Sequence, residues 1–273
     1  MKIALIQMKV QKANDANIQS ACRQVTTAAQ AGADLVLLPE MFCCPYETAN
    51  FPLYAQPQGG ANWSTLSACA RENNVYLVAG SMPERDGEAV FNTCYAFDRQ
   101  GKQLAKYRKM HLFDVDIKGG QRFFESETLT AGSELAVFDT EFGRMGLMIC
   151  FDIRFPELAR LLALQGAKTI LVPAAFNMTT GPAHWELHFR SRAVDNQVFL
   201  MGCSPARDLS ASYHAYGHSL VVSPWGEILA KLEEQEGILY CDVDLQKTEA
   251  VREQLPLLKA RRTDVYDTRI VGR

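Results

Sequence analysis

The stretch DLVLLP (34–39) is apolar from Leu35 to Leu38 and is closed by Pro39. Four apolar residues in a row are too few for a helix and leave no polar face for water. A segment of this kind is stable as a strand covered on both sides of its sheet. AKTILVP (167–173) and VFLMGCS (198–204) read the same way. A chain holding several such strands must supply covering layers, and segments of helical period lie between them. In NDANIQSACRQVTTAAQAG, Ile18, Cys22, Val25 and Ala29 share one stripe and Gly32 suits the stop. ANWSTLSACARENN and PAHWELHFRSRAVDN have the same period, and PELARLLALQGA opens with Pro in its first turn and stops at Gly166.

Further strands are expected at KIALIQMKV, where Ile3, Leu5 and Gln7 share one face, and at NVYLVAGSM. AVFNTCYAFD and QLAKYRK are joined by the turn RQG, and ELAVFDTEFGRMGLMIC holds two strands around Phe142-Gly143. GHSLVVSP, GEILAKL and GILYCDVD complete the set. Alternating helices and strands with several hairpins predict an α/β protein, a mixed sheet system covered by helices. With 273 residues and 48% hydrophobic content there is enough apolar material for one large core, and a single domain over 1–273 is expected.

The net charge is −3, and only KARR (259–262) gathers basic residues, so no nucleic-acid footprint is visible. MKIALIQMKVQ lacks the apolar core and cleavage site of a secretory signal, and no apolar run approaches the roughly 20 residues of a membrane helix. The eight cysteines contain no C-x-x-C pair and read as reduced thiols of a cytoplasmic protein, most of them buried.

Three strand ends carry a reactive group, and in α/β folds such ends are where ligands bind. Glu40 follows DLVLLP, Lys109 ends QLAKYRK, and Cys150 ends MGLMI. Taken singly, each has an ordinary reading: a turn cap, a solvated lysine, a core thiol. Together they make a nucleophilic device. The thiolate attacks a carbonyl carbon while a carboxylate takes the thiol proton. A nearby ammonium is expected to lower the thiol pKa and to stabilise the oxyanion, with the backbone N–H of Phe151 as a second donor.

The segments LLPEMF, KYRKMHLF (106–113) and ICFDIRFPE (149–157), in this order and spacing, resemble the nitrilase superfamily of carbon–nitrogen hydrolases. The resemblance covers nearly the whole chain. HLFDVDI, AFNMTTGPAHWEL, SRAVDNQVF and SPARD are similar to its ω-amidase branch, whereas ETANFPLYAQPQGG (47–60) matches only loosely. The resemblance implies a four-layer α-β-β-α sandwich that assembles as a homodimer or higher homo-oligomer, pairing through helices flanking the nucleophile. It implies Glu40 as general base, Lys109 as oxyanion-stabilising lysine, Cys150 as nucleophile and Glu125, in RFFESETLTAG, as a second glutamate that positions the lysine. It implies no cofactor and no metal, and hydrolysis of the ω-amides of 2-oxo dicarboxylates such as 2-oxoglutaramate and 2-oxosuccinamate. Arg154, Phe151, Phe176 and Asn177 are the candidate substrate-binding residues, with Arg154 either holding a substrate carboxylate or bracing Asp152.

Other readings stand beside this one. His184 and His188 have the i,i+4 spacing of a metal-binding pair, with His214 or His218 as a third ligand, although helix-face histidines more often pack or cap. His111 suits a Cys–His mechanism, but the resemblance makes it a support of the lysine loop. Arg192 and Asp195 suit an i,i+3 salt bridge. The alternatives for function are another amidase of the superfamily (a deaminated-glutathione amidase, a carbamoylase or a nitrilase), a metal-dependent amidohydrolase, and a non-catalytic scaffold.

Overall fold

A computed structural model of the chain describes residues 1–118 and 122–271. Two six-stranded sheets lie face to face. The first runs, in spatial order, β14 (Gly237–Asp242), β1 (Lys2–Gln7), β2 (Leu35–Leu37), β3 (Tyr76–Asp86), β4 (Ala89–Phe97) and β5 (Gln103–Arg108). The second runs β13 (Ile228–Lys231), β12 (Leu220–Val222), β11 (Phe199–Cys203), β10 (Thr169–Pro173), β9 (Gly143–Leu147) and β8 (Val137–Thr140). The central strands β1, β2 and β3 are parallel, as are β9, β10 and β11, with antiparallel hairpins toward the edges. A short hairpin of β6 (Asp114–Asp116) and β7 (Arg122–Phe124) stands apart.

Helices α1 (Asn14–Gln30) and α3 (Ala61–Asn73) cover the outer face of the first sheet, and α2 (Phe51–Tyr54) is a single turn between them. Helices α4 (Pro156–Leu164) and α5 (Gly181–Asn196) cover the second sheet, and α6 (Gln246–Gln254) follows β14. The result is the four-layer α-β-β-α sandwich. Strand alternation sorts side chains between layers. Ile3 and Leu5 of β1 join the inner core with Met145 and Leu147 of β9, while Ala4 and Ile6 join Ile18 and Val25 of α1 outside. On β9 the outward position is Gly146, and a Cβ there would lie 3.2 Å from Leu162 of α4, so the glycine sets how closely helix and sheet approach. No helix among the described residues is long and apolar enough to cross a membrane.

The expected elements are present, with three differences. The buried face of α1 centres on Asn17, Ala21 and Ala28 beside Ile18 and Val25, leaving Cys22 and Ala29 at its margin. Asn17 looks like a surface residue, yet its amide exchanges two 2.8 Å hydrogen bonds with the backbone of Gln11 and can therefore be buried. Second, the ladder of β9 stops at Leu147, short of the expected Ile149, because the Ile149 N–H is taken at 2.9 Å by the Asp152 carboxylate. Third, α2, α6 and the β6–β7 hairpin carry too little apolar periodicity to be read; α6 buries only Thr248.

One close approach ties the frame to the turn that carries Glu40. Gly80 of β3 has φ +24°, and an added Cβ would lie 2.1 Å from the Pro39 carbonyl oxygen. That carbonyl accepts the Ser81 N–H, and Ser81 Oγ accepts the Met41 N–H at 3.1 Å. Gly80→Ala must move backbone, not a flexible side-chain end. It should cost about 2–3 kcal/mol, read as the urea unfolding midpoint.

Candidate active site

Strand ends converge where the two sheets meet. The chain leaves β2 through Leu38 and Pro39, the Leu38 N–H bonded to Val78, and delivers Glu40. Past β5, the Lys109 N–H bonds to the Asn92 carbonyl and its side chain turns inward. Past β9, Cys150 begins a single tight turn to Arg154 and adopts φ +46°, a left-handed conformation a cysteine rarely takes. Such strain at a residue between strand and helix presents its side chain at the apex of the turn. Glu40, Lys109 and Glu125 are fully buried and Cys150 is nearly so.

Lys109 Nζ lies 2.9 Å from Glu40 Oε1, and 2.9 and 2.8 Å from the two oxygens of Glu125. Glu125 is held in turn by the Phe113 N–H at 2.7 Å. Glu40 Oε1 also accepts from Asn92 Nδ2 at 2.9 Å and from the Tyr46 hydroxyl at 3.2 Å, while Glu40 Oε2 is buried without a hydrogen-bond partner. The Cys150 thiol interacts with this carboxylate and accepts the Ala175 N–H at 3.4 Å.

Burial raises the Glu40 pKa above the usual carboxylate range, opposed by Lys109 and reinforced by Glu125. Burial depresses the Lys109 ammonium, but the charges of Glu125 and Glu40 outweigh it and hold the ammonium charged. The thiol of Cys150 is pushed well above its ordinary value by burial and by Glu40, against the pull of Lys109. This corrects the expectation of a lowered thiol pKa. Burial and, after it, the charge of Glu40 outweigh the effect of the ammonium on the sulfur. The geometry suits a thiol that gives its proton to a basic carboxylate as it attacks, not a standing thiolate.

Asp152, fully buried, accepts hydrogen bonds from the Ile149 N–H (2.9 Å), the Tyr107 hydroxyl (2.7 Å) and the His111 N–H (3.0 Å), with His111 Nδ1 at 2.8 Å. It thereby fastens the cysteine turn to β5 and to the lysine loop. His111 stacks on Phe155 with ring centres 3.7 Å apart, the supporting place expected of it. Asp152 does not pair with Arg154. Arg154 Nη1 lies 3.0 Å from His184 Nδ1 and 3.1 Å from His188 Nε2, so this histidine pair holds a guanidinium where the metal reading put an ion. His218 instead stacks on Tyr216 and faces Glu233, and His214 is exposed. Arg192 pairs with Asp195 at 3.2 Å, as its spacing suggests, and also donates to the Ile153 carbonyl at 3.0 Å.

A small pocket of about 10 Å³ is lined by Cys150, Phe151, Arg154, Phe176 and Asn177, with Tyr213 as one wall. The guanidinium of Arg154 lies 4.7 Å over the Phe176 ring. Asn177 Oδ1 is spent on the N–H groups of Thr179 and Thr180 before α5. A larger cavity of about 460 Å³ reaches Glu40, Tyr46 and Ala175, and Tyr213 walls this one too, its hydroxyl bonded to the Ala175 carbonyl. Sequence reading missed Tyr46, which bonds both Glu40 and Glu125, together with Asn92 and Tyr213. A tyrosine and an asparagine in apolar segments carry no periodic signal, and only the unpaired charges of the motifs hinted that buried donors must exist nearby.

The pKa of His188 falls to about 4 through burial, with Arg154, Arg192 and His184 adding repulsion. Its ordinary value is 6.5, so between pH 6.5 and 4 the unfolded chain takes up a proton that the folded ring refuses. Stability is lost as pH falls through that window. Replacing His188 by Gln should reduce the loss between pH 7 and 4.5 by about 1–2 kcal/mol, allowing for solvent screening of a half-buried ring, in paired urea titrations.

The sequence pattern of the carbon–nitrogen hydrolase family matches residues 2–253. Omega-amidase NIT2 of Mus musculus is 49% identical over 265 residues, 97% of this chain and 96% of its own length. Omega-amidase NIT2-A of Xenopus laevis is 48% identical over 266 residues with the same coverage. Among solved structures, Saccharomyces cerevisiae Nit3, a member of branch 10 of the nitrilase superfamily, superposes with a TM-score of 0.89 at 42% identity, covering 96% of each chain. A mutant of the amidase from Nesterenkonia sp. AN1, showing Michael addition of acrylamide at the active site cysteine, superposes with a TM-score of 0.82 at 27% identity over 97% of this chain and 98% of its own. The chain belongs to the carbon–nitrogen hydrolase family of the nitrilase superfamily.

Proposed function

We propose that the chain is an ω-amidase, a single catalytic domain over residues 1–273 that hydrolyses the ω-amide of 2-oxo dicarboxylates and releases ammonia. The observation that carries this reading is one buried cluster in which an unpartnered carboxylate oxygen of Glu40, the ammonium of Lys109 and the sulfur of Cys150 meet beside a cation, Arg154. The thiol gives its proton to Glu40 while the sulfur bonds to the amide carbon. The oxyanion that forms faces the N–H of Phe151 and Lys109 Nζ, which can release one of its two contacts to Glu125 and turn that N–H to the new charge. The C–N bond breaks as Glu40 returns the proton to the departing nitrogen. Water then gives a proton to Glu40 and attacks the thioester; the C–S bond breaks, the acid leaves and the thiol is restored. Glu125 fixes the lysine, as does Tyr46 through both glutamates. The mammalian and amphibian ω-amidases at 48–49% identity support this choice of substrate over the other amidases of the superfamily.

Arg154 is the residue to meet the carboxylate end of such a substrate. Among the described residues no carboxylate pairs with it, its Nε is buried without a partner, and burial lowers its pKa. A substrate anion entering the pocket would relieve that cost. Phe151, Phe176 and Asn177 line the same pocket. The eight unpaired thiols support a reducing, cytoplasmic setting. Exposed Leu164 on α4, with Leu187 and Val194 on α5, supports pairing into a homodimer through these helices.

Substitutions at Cys150, Lys109 and Arg154 test the roles. Cys150→Ala should abolish ammonia release with an unchanged circular-dichroism melt, whereas Cys43→Ala and Cys44→Ala keep most of it; substantial turnover by Cys150→Ala would remove the nucleophile assignment. Lys109→Ala should lower kcat by about 10²–10³ with KM changing less, and a normal kcat with a large KM would make it a binding residue only. Wild-type kcat/KM should favour 2-oxoglutaramate over butyramide, and Arg154→Met should raise KM for the anionic amide selectively. An equal fall for both amides would leave Arg154 a structural brace.

A further inference from the structure

Arg154 is held in an unusual way for a buried arginine. Most such guanidinium groups are fixed by carboxylates, which cancel their charge. Here the two acceptors are imidazoles one helical turn apart on α5, and both bind the same nitrogen, Nη1. An Nη carries two hydrogens, so both are used, and each histidine must present a lone pair. That fixes two neutral rings, His184 protonated on Nε2 and His188 on Nδ1. With Nη1 turned to α5, the opposite edge of the guanidinium, formed by Nε and Nη2, remains, and Nε has no partner. This edge is the fork that binds a carboxylate through two parallel hydrogen bonds. The aromatic rings of Phe151 and Phe176, 5.7 and 4.7 Å from the guanidinium, border it without neutralising it.

We infer that His184 and His188 are positioning residues that aim Arg154 at the carboxylate of the substrate while leaving its charge uncancelled. The inference rests on the ω-amide reading above and adds to it the source of the specificity for an anionic substrate. The depressed pKa of His188 accords with it, since a protonated ring would donate toward a donor and push the guanidinium away. The groups facing His188 are Arg154, Arg192 and His184, none of which favours a charged ring. The same argument explains why an i,i+4 histidine pair appears on this helix without serving a metal.

The two parts of the claim, an acceptor and a neutral one, separate by substitution. His188→Gln keeps a neutral acceptor; His188→Glu keeps an acceptor and adds the charge that would cancel Arg154. The readout is the ratio of kcat/KM for 2-oxoglutaramate to that for butyramide, on samples shown to be folded by circular dichroism. The ratio should stay within about twofold of wild type in His188→Gln and fall more than about tenfold in His188→Glu, the scale of one charged hydrogen bond. A ratio kept in His188→Glu, or an equal fall in both variants, overturns the inference and leaves the ω-amide reading standing. A wild-type ratio near one means that no carboxylate is recognised, and then both readings fall. Should the glutamate variant not fold, His184→Gln and His184→Glu make the same comparison on the other ring.

Discussion

The ammonium of Lys109 lies between two carboxylates in the interior, within 2.9 Å of each, and much of the structure answers to that contact. Three buried ions cost several kcal/mol each to dehydrate, and their mutual attraction offsets this only when the remaining lone pairs are satisfied. Asn92, Tyr46, the Phe113 N–H and the lysine itself do so for all the carboxylate oxygens but one. The exception, Glu40 Oε2, is the atom with basicity to spare. Two carboxylates and one ammonium leave one net negative charge, and burial concentrates the proton affinity on Glu40. Every oxygen of the cluster but that one is satisfied, which leaves a single buried acceptor beside the sulfur of Cys150.

The frame exists to keep these groups in register. Asp152 carries much of that work from a fully buried position: four hydrogen bonds join the cysteine turn, the first sheet and the loop after Lys109. Its own position follows from the left-handed turn at Cys150, which lets the carboxylate reach back and take the Ile149 N–H that would otherwise continue β9. Cys203 adds a further tie, its thiol 3.3 Å from the carbonyls of Ile6 and Leu37 across the gap between the sheets.

Much of this was legible in the sequence because it rests on apolar strands and on reactive groups that recur together at strand ends. Glu40 and Cys150 follow such strands directly and Lys109 ends QLAKYRK, so their strand-end positions bring them together, and Glu125 came through the family resemblance. What escaped was set by hydrogen-bond partners that periodicity does not reveal. Asn17 and Tyr46 look like surface residues until their partners Gln11, Glu40 and Glu125 are in place. The raised thiol pKa comes first from burial and then from Glu40, and how deeply a strand-end cysteine is buried is set by the tertiary fold, not by the motif around it. The histidine pair on α5 had the spacing of a metal site, and only the fold could bring Arg154 to it.

The reactive parts come from different halves of the sandwich. Glu40 and Lys109 follow strands of the first sheet and the sulfur follows a strand of the second. Neither sheet alone contains a competent centre: one would hold a cation among carboxylates, the other an inert thiol. The first sheet is itself incomplete until β14, at residues 237–242, pairs with β1. Residues separated by more than a hundred positions, and a strand that pairs only near the end of the chain, must therefore all be in place before Glu40, Lys109 and Cys150 can face one another.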